Sequence, residues 1–455
     1  MKYLEKVYQY IEENREVYID WLLKASKQPS VSTLNIGMEK MAKMVEQLLE
    51  EVDADIEYIE TEGYPIVYGE IKNNNEKTLS FYNHYDVQPE DPVDEWDTEP
   101  FEPTIIDGRL FGRGTADNKG NLLARVCAVH AYQQVYGKLP VDIKFVFEGE
   151  EEVGSPNLMT FAKEHPEKME TDGFLWEGGE RASDGGLDVG LGVKGICYVE
   201  LVARAGNRDL HSSEAPVIEN PAWRLVWALN TLKNEQEEIL IDGFYDDIIP
   251  VTEEEIEFIK NIPVDEETML KERGLSNFLH NVSGLELKKK LFLDPTCTIC
   301  GIESGYTDEG SKTVLPSKAM VKIDFRLAAG QSPERVGKLL RKHLDKHGYE
   351  DIEIHSLHGI EPHRTNVKDP LVQAAIESAR EVYDKEPTTI INSAGSSPMY
   401  KLLKKEPENI PGVQIGVANK DSRPHAPNEN IYIEDFILGI KMTAAVMDKF
   451  SKTKE

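Results

Sequence analysis

The chain has 455 residues, 40% of them apolar, so it can form a packed core and is long enough for two domains. It carries 82 acidic and 51 basic residues, a formal net charge of −31, which argues against binding to nucleic acid or to an anionic membrane surface. Four cysteines are too few for a secreted disulfide scaffold. No signal peptide is evident at the start, and no segment is apolar over the ~20 residues of a membrane span, so we expect a cytoplasmic protein.

Short apolar strands alternate with amphipathic helices in the first part of the chain. The spacing of apolar residues predicts these elements in order: helices at 2–27 and 37–51, a strand at 78–87, a hairpin at 105–112, a helix at 118–136, and strands at 141–147 and 172–177. Alternation of this kind predicts an α/β sandwich with a largely parallel sheet.

A different order of elements begins near residue 194. The pattern predicts a strand at 195–206, a helix at 220–236, strands at 297–306 and 318–327, a helix at 332–348 and a strand at 351–357. This β-α-β-β-α-β order is that of a ferredoxin-like unit, interrupted by an acidic insertion at 237–292 whose role the sequence does not indicate. The α/β pattern then resumes, so we expect a domain made of 1–193 and 361–455 with a smaller domain, 194–360, inserted in it.

Two polar residues stand at the end of the strand at 78–87. His84 and Asp86 are two positions apart and face the same side of a strand. Asp86 could therefore accept a hydrogen bond from one ring nitrogen of His84 and leave the other nitrogen free for a metal. Taken alone, a hydrogen-bonded surface histidine is an ordinary alternative.

Carboxylates occur at comparable places further along. Asp117 lies in the glycine-rich GRGTADNKGN at the start of a helix, where it could simply be a cap. The run EGEEEVGS (148–155) follows a buried strand, and Glu177 ends the next one. The acidic run could be a solvated loop, but ligands of α/β sheets gather at the carboxyl ends of strands, and cations there would relieve the repulsion between carboxylates. His425 lies in a loop, PHAPNE.

Together these residues make a mixed nitrogen and oxygen set that suits Zn²⁺, Mn²⁺ or Co²⁺. Five ligands with one bridging carboxylate would serve two metals ~3.5–4 Å apart. The adjacent Glu151 and Glu152 could divide the work, one binding metal and the other acting as a general base.

A second motif, CTIC, contains Cys297 and Cys300. This spacing can indicate a redox pair or half of a zinc site, but no second pair follows. On a strand, positions i and i+3 face opposite sides. We therefore favour two small apolar residues.

The motifs taken in series resemble a known family. They are HYD (84–86), GRGTADNKG (112–120), EGEEEVGS (148–155), RDLHSS (208–213), KTVLPSKAMVKIDFR (312–326), GSSP (395–398) and PHAPNE (424–429). The series is similar to the dinuclear-metal amidohydrolases, which include cytosolic non-specific dipeptidase, glutamate carboxypeptidase, aminoacylase and succinyl-diaminopimelate desuccinylase, and it is most similar to the dipeptidase branch. The resemblance implies a phosphorylase/hydrolase-like α/β/α catalytic domain with an inserted ferredoxin-like domain that serves as lid and dimerisation surface.

The resemblance also implies a role for each residue of the site. Asp117 bridges two metals, His84 and Glu177 complete one of them, Glu152 and His425 complete the other, Asp86 orients His84, and Glu151 is the general base. The substrate would be bound by His211, Thr313, Arg326 and Ser396, and His211 would reach the active site of the other subunit of a dimer. A cis peptide bond is implied between Asp117 and Asn118. Two departures, Asn118 and Glu177 in place of the aspartates of many dipeptidases, leave the choice of metal and the substrate preference open.

The expected activity is metal-dependent hydrolysis of peptide bonds in dipeptides or other small peptides, with a metal-bridged water and a glutamate base. Two divalent ions per subunit, Zn²⁺ or Mn²⁺ with Co²⁺ also suitable, and a homodimer formed through the inserted domain are implied. The alternatives are an N-acyl amino acid deacylase, a binding protein that keeps the fold without the base, and a dimetal phosphoesterase. The last is disfavoured because the sequence around the ligands is acidic and would repel phosphate.

Overall fold

The computed structural model describes residues 3–182, 184–393, 395–405 and 409–454. Its α-helices, in chain order, are α1 (Tyr3–Glu13), α2 (Arg15–Lys27), α3 (Met38–Glu50), α4 (Lys119–Tyr136), α5 (Leu158–Glu164), α6 (Pro221–Leu232), α7 (Glu253–Asn261), α8 (Glu266–Glu272), α9 (Gly284–Phe292), α10 (Pro333–Lys346), α11 (Pro370–Tyr383), α12 (Tyr400–Leu403) and α13 (Ile433–Phe450). Within this part of the chain, no helix combines the length and the apolar character that crossing a bilayer requires.

The strands are short and spread over the whole chain. In chain order they are β1 (Asp55–Ile59), β2 (Ile66–Ile71), β3 (Thr78–His84), β4 (Thr104–Ile106), β5 (Arg109–Phe111), β6 (Asp142–Glu148), β7 (Phe174–Trp176), β8 (Glu180–Arg181), β9 (Asp188–Gly190), β10 (Gly192–Val193), β11 (Gly195–Arg204), β12 (Leu210–His211), β13 (Thr296–Ser304), β14 (Val314–Leu315), β15 (Lys318–Leu327), β16 (Glu353–Ile360), β17 (His363–Arg364), β18 (Thr388–Ile390), β19 (Gly412–Gln414), β20 (Ala418–Asn419) and β21 (Asn430–Tyr432).

A mixed sheet lies at the centre of the larger part of the molecule. Among the described residues its strands have the spatial order β1-β2-β6-β3-β7-β19-β9-β18. The strands β6, β3, β7 and β19 run parallel, whereas β1–β2, β2–β6 and β19–β9 pair antiparallel. The expected largely parallel sheet is therefore corrected to a mixed one. The link from Ile59 to Ile66 is too short for the crossover that parallel neighbours need.

Helices cover both faces of this sheet. Phe81 and Tyr82, adjacent on β3, belong to two different clusters of buried residues, as expected for alternating side chains on a strand. The cluster that contains Phe81 is built with α4, α11 and α13, and the one that contains Tyr82 with α5 and α12. The fold is thus mixed α/β, as the sequence predicts.

A second, antiparallel sheet has the spatial order β13-β15-β11-β16. Helices α6 and α10 pack on one face of it and form a separate apolar core. Along the chain the order is β11-α6-β13-β15-α10-β16. The division of the chain at 193/194 and 360/361 stays a prediction.

The insertion at 237–292 packs on both units. Ile239 and Ile241 join the core of the antiparallel sheet, but Ile259 of α7 is fully buried in the core of the larger unit. The ammonium of Lys194 donates to the carbonyls of Leu291 and Asp294, at 2.9 and 2.6 Å, at the end of α9. The insertion therefore fastens the two units together next to one of the two chain crossings.

Two local predictions need correction. The single helix predicted at 2–27 is interrupted at Asn14, whose side chain donates to the carbonyl of Tyr10 at 2.9 Å, because asparagine competes for backbone hydrogen bonds. In the CTIC motif Cys297 is buried and Cys300, at an irregularity in the pairing of β13, is exposed. Only Cys297 behaves as a small apolar core residue.

Candidate metal centre

The site lies where three neighbouring parallel strands end. His84 is the last residue of β3, Glu177 follows β7, and Glu151 and Glu152 form a 3-10 turn (Glu151–Val153) just after β6. Because β6, β3 and β7 are adjacent and parallel, their carboxyl ends meet at one edge of the sheet. Strand order thus places three of the predicted ligand positions side by side.

Asp117 lies between the two histidines. Its Oδ1 is 3.1 Å from His84 Nε2, and its Oδ2 is 3.0 Å from His425 Nε2. Asp117 immediately precedes the cap of α4, and His425 belongs to the loop before β21. The two oxygens of one carboxylate therefore face different histidines.

Each histidine has a second carboxylate partner. Glu177 Oε2 is 3.1 Å from His84 Nε2, and Glu152 Oε2 is 3.1 Å from His425 Nε2. Ligand atoms of His84, Glu151 and Glu177 lie within 4.8 Å of one another, as do those of His84, Asp117 and Glu152. These two groups of three share His84, and Asp117 is the carboxylate that contacts both histidines.

These residues fit divalent cations. Oε1 of Glu152 is buried and accepts no hydrogen bond from the part of the chain described. A buried carboxylate oxygen without a partner is costly, and a cation would satisfy it. Imidazole nitrogen with carboxylate oxygen is a donor set that Zn²⁺ and Mn²⁺ accept.

Burial and hydrogen bonds shift the pKa values of several groups in the cluster. Burial raises the pKa of Glu151 to about 8 and raises the pKa of Glu177 well above its usual range. Hydrogen bonds to Asp117 and then to Glu152 raise the pKa of His425 to about 10. Burial would raise the pKa of Asp117, but hydrogen bonds from His425 and His84 hold it well below its usual range. Metal ligation requires neutral imidazole, so loading with cations would release protons.

Asp86 joins His84 to the turn that carries Glu151. Its Oδ1 lies 3.3 Å and its backbone oxygen 3.1 Å from His84 Nδ1. Its two carboxylate oxygens also accept the backbone N–H groups of Glu151 and Glu152, at 3.2 and 3.1 Å. The fully buried side chain of Asp86 therefore contacts both the histidine and the turn. The prediction included only its contact with His84.

Sequence analysis did not single out Glu429, which lies four residues after His425. This fully buried carboxylate accepts the backbone N–H groups of Gly114, Ala116 and Asp117 at 2.9–3.0 Å. It also accepts a 2.7 Å hydrogen bond from the buried guanidinium of Arg113. Glu429 thereby fixes the backbone of Asp117. Its presence in the PHAPNE motif was the available signal.

Replacing Glu429 by Ala should destabilise the metal-free protein by about 3–5 kcal/mol, because removal of one partner leaves the buried charge of Arg113 unpaired. Urea denaturation in the presence of a chelator measures the loss. Glu386→Ala is the matched control, since Glu386 pairs with Arg380 at the surface, where such pairs contribute about 0–1 kcal/mol. Equal losses in the two variants would contradict the prediction.

The four predicted substrate-binding residues lie on other elements than the metal ligands. His211 and Thr313 lie beside each other on the β12–β14 ribbon, where His211 pairs with Val314 and Thr313 accepts the backbone N–H of Ser212. Arg326 Nε is 3.3 Å from Asp324 Oδ2 on β15. Ser396 is half-buried and follows Gly395. Within the described chain, no hydrogen bond or ion pair joins these four residues to the metal-binding side chains.

The peptide bond between Asp117 and Asn118 is cis, as the resemblance implies. The side-chain oxygen of Asn118 accepts a hydrogen bond from the amide of Asn83 on β3. Asn118 is therefore occupied in joining the Asp117 loop to the strand of His84.

Comparison with known proteins gives a consistent result. A model of peptidase family M20/M25/M40 matches residues 80–449. Beta-Ala-His dipeptidase of Mus musculus is 29% identical over 480 residues, which cover 99% of this chain and 96% of that protein. The Cys-Gly metallodipeptidase of Schizosaccharomyces pombe is 27% identical, with 96% of each chain covered.

A solved structure is similar over nearly its whole length. An M20 family metallo-carboxypeptidase from Sulfolobus solfataricus is 40% identical and superposes with a TM-score of 0.85, covering 95% of this chain and 99% of the other. Residues 80–449, which the family model matches, contain most of β3 and all later strands of the mixed sheet, and they include all five predicted metal ligands. The chain belongs to peptidase family M20/M25/M40 and is a metal-dependent hydrolase of peptide bonds.

Proposed function

We propose that the substrates are dipeptides, cleaved with two divalent cations, Zn²⁺ or Mn²⁺, bound by His84, Asp117, Glu152, Glu177 and His425. The observation that carries this proposal is the position of Asp117, whose two oxygens face the two histidine–glutamate pairs separately. Cations bound there would polarise the substrate carbonyl and lower the pKa of water. A dimetal centre of this kind serves hydrolysis.

Glu151 is proposed as the general base. Its carboxylate lies close to the ligand atoms of His84 and Glu177. The neighbouring Glu152 is the residue of the turn that contacts His425. Glu151 would accept a proton from the attacking water and pass it to the leaving amine. Two bound cations would lower its raised pKa into the range where it is ionised at neutral pH.

Arg326, with Thr313 and Ser396, is proposed to bind the free C-terminal carboxylate of the substrate. A guanidinium suits this group because it can donate two parallel hydrogen bonds to a carboxylate. Dipeptides and the C-terminal bonds of longer peptides both present such a carboxylate next to the cleaved bond. An N-acyl amino acid deacylase is not favoured, because the relatives compared above are peptidases.

The proposal is tested with a panel of dipeptides, their C-terminally amidated forms and N-acetyl amino acids. The enzyme should hydrolyse dipeptides, lose activity when chelated and regain it with Zn²⁺ or Mn²⁺. Amidation should lower kcat/KM by about 10²-fold, because the guanidinium loses its charged partner. Activity that survives chelation, or a preference for N-acetyl amino acids, would overturn the proposal.

The second sheet offers a surface for a second copy of the chain at β13, one of its two edge strands among the described residues. Ile299 and Ile302 of β13 pair with Ile323 and Val321 of β15, which belong to the core under α6. Residues paired across strands share a face. Both isoleucines therefore lie on the helix-covered side, although each is more than half exposed.

Helix α6 extends this apolar surface. Trp223 and Trp227 are each more than half exposed, and their rings stack 5.9 Å apart. An unpaired strand edge next to an exposed apolar patch is typical of an interface. We propose a homodimer in which this part of the inserted domain meets its copy, so that His211 of the partner subunit reaches the substrate carbonyl and the inserted domain closes as a lid.

Replacing Ile302 by Glu should convert a dimer into a monomer, because a buried carboxylate at the centre of an apolar interface has no partner. Light scattering coupled to gel filtration measures the mass. Activity should fall when dimerisation is lost, since His211 of the partner subunit would no longer reach the site. Leu279→Glu, an equally exposed leucine of the insertion, is the control and should stay dimeric. A dimeric Ile302→Glu variant would contradict the proposed surface.

We also propose that the protein works in a reducing compartment such as the cytoplasm. All four of its cysteines, which lie within the described residues, are free. Oxidising compartments favour paired cysteines. Three of the four are buried in apolar surroundings, where they act as small core residues.

A further inference from the structure

The turn that carries Glu151 and Glu152 is held at its beginning by a negative charge. The backbone N–H groups of both glutamates donate to the carboxylate of Asp86. Free N–H groups at the start of a helical turn attract an anion because they carry partial positive charge. Asp86 therefore fixes the entrance of the turn.

The end of the same turn is held by a positive charge. The ammonium of Lys401 donates to the backbone carbonyls of Gly154 and Ser155, at 2.8 Å each. Free carbonyl groups at the end of a helical turn carry partial negative charge and attract a cation. The turn thus lies between an acidic side chain at its N–H end and a basic side chain at its carbonyl end.

Ser155 adds a second attachment below the turn. It is fully buried, and its hydroxyl donates to Glu148 Oε1 at 2.7 Å. Lys401 therefore donates hydrogen bonds to a backbone segment that Ser155 already fixes on one side. These hydrogen bonds to the two carbonyl groups set the direction in which the turn leaves the sheet. A small rotation of this turn would move the carboxylate of Glu151.

Lys401 also connects the turn to the predicted substrate segment. It lies on α12, five positions after Ser396, and its backbone N–H donates to the carbonyl of Pro398 at 2.8 Å. Met399, Leu402 and Leu403 are buried in the cluster that contains Trp176, the residue before Glu177. The backbone of α12 is thus fixed in the core directly beneath the site.

We propose that Lys401 is a positioning residue that holds the Glu151 turn in place against the substrate-binding segment at 395–398. This inference rests on the proposed function of Glu151 as the base. Among the described residues, no hydrogen bond or ion pair joins the ammonium of Lys401 to a predicted metal ligand, so its contribution is the geometry of attack. Misplacement of a reacting group by about 1 Å can lower the rate about 10²-fold.

The test compares Lys401→Met with Lys401→Arg and with Lys404→Met. Methionine keeps the length of the side chain without its donors, and arginine can donate to both carbonyls. Lys404 lies just after the same helix and pairs with Glu361 at the surface. We expect Lys401→Met to lower kcat about 10–100-fold on a dipeptide with KM changed less than about threefold and with full metal content. Lys401→Arg should recover most of kcat, and Lys404→Met should equal the wild type.

A second readout does not depend on activity. Amide hydrogen exchange of the peptide that spans 149–157, followed by mass spectrometry, should be faster in Lys401→Met than in the wild type and unchanged in Lys404→Met. If Lys401→Met yields too little folded protein, Lys401→Gln, which keeps one donor, should show a smaller change of both kinds.

Wild-type kcat in Lys401→Met, or a loss of kcat that follows a loss of metal, would overturn the inference. Unchanged exchange in the turn would overturn it as well. If the wild type hydrolyses no peptide, the proposed function is refuted. If amide exchange in the turn is nevertheless faster in Lys401→Met, the positioning of the turn by Lys401 stays supported. The two failures are therefore distinguishable.

Discussion

Replacing Glu151 by Gln is expected to lower kcat by roughly 10²–10⁴-fold, the contribution of a positioned general base. Glutamine has nearly the shape of glutamate but cannot take a proton from water. The five proposed ligands remain in place, so the metal content should equal that of the wild type. Because the proton is transferred only on the way to the transition state, kcat and kcat/KM should fall together. Steady-state kinetics and elemental analysis of the same samples provide both measurements.

Glu150→Gln is the matched control for this variant. Glu150 is the preceding residue and is buried, and its carboxylate accepts a 2.7 Å hydrogen bond from Asn157. Among the described residues no ion pair joins it to His84 or His425. Glutamine can still accept that bond, and activity should stay near the wild-type value. Full activity in Glu151→Gln would remove Glu151 from the mechanism.

Replacing Asp117 by Asn is expected to remove both cations, from about two per subunit to near zero, together with all measurable activity. Asparagine offers one oxygen in place of two, and its NH₂ group would face one of the histidines. It also removes the only carboxylate among the described residues that contacts both His84 and His425. Metal content after dialysis and residual turnover are the measurements.

Glu177→Gln separates a shared ligand from an unshared one. Glu177 contacts His84 but has no ion pair with His425 among the described residues. Its replacement should therefore weaken one of the two cations, leaving about one per subunit. If Asp117→Asn keeps a full complement of metal, or if the two variants lose the same amount, the shared role of Asp117 is wrong.

Glu151→Gln and Asp117→Asn together distinguish a general base from a metal ligand. Loss of activity with metal retained identifies a base, whereas loss of activity through loss of metal identifies a ligand. Glu151 and Glu152 are adjacent in sequence, and only this distinction assigns their roles. The structure supports the assignment because Glu152 alone of the two is within 3.1 Å of His425.

Candidate residues of the site could be predicted from the sequence because they stand in local patterns. Short apolar strands ending in His84 and Glu177, and the acidic run at 148–155, indicate strand ends that carry ligands, and the resemblance assigned a role to each residue. The α/β class also follows from the alternation of elements. Such information resides in neighbouring residues, which set the course of the backbone and the direction of each side chain.

Other features depended on contacts between distant segments. No pattern along the chain indicated that Glu429 would bond the backbone of Asp117, or that Lys401 would bond the turn after β6. The periodicity of apolar residues likewise did not predict the antiparallel edge formed by β1 and β2. It did not predict the packing of α7 on the larger unit either. These contacts join residues far apart in sequence, and pairs of that kind have no spacing rule.

The sequence by itself therefore determined which residues are candidates for the chemistry and on which kinds of element they stand. The tertiary structure alone decided which carboxylate meets which histidine, and which buried charges hold the loops that carry them. The physical reason is that periodicity and motifs express the conformation of a short segment, whereas the pairing of charges requires the whole core to pack. Only the packed core brings Asp117 between His84 and His425.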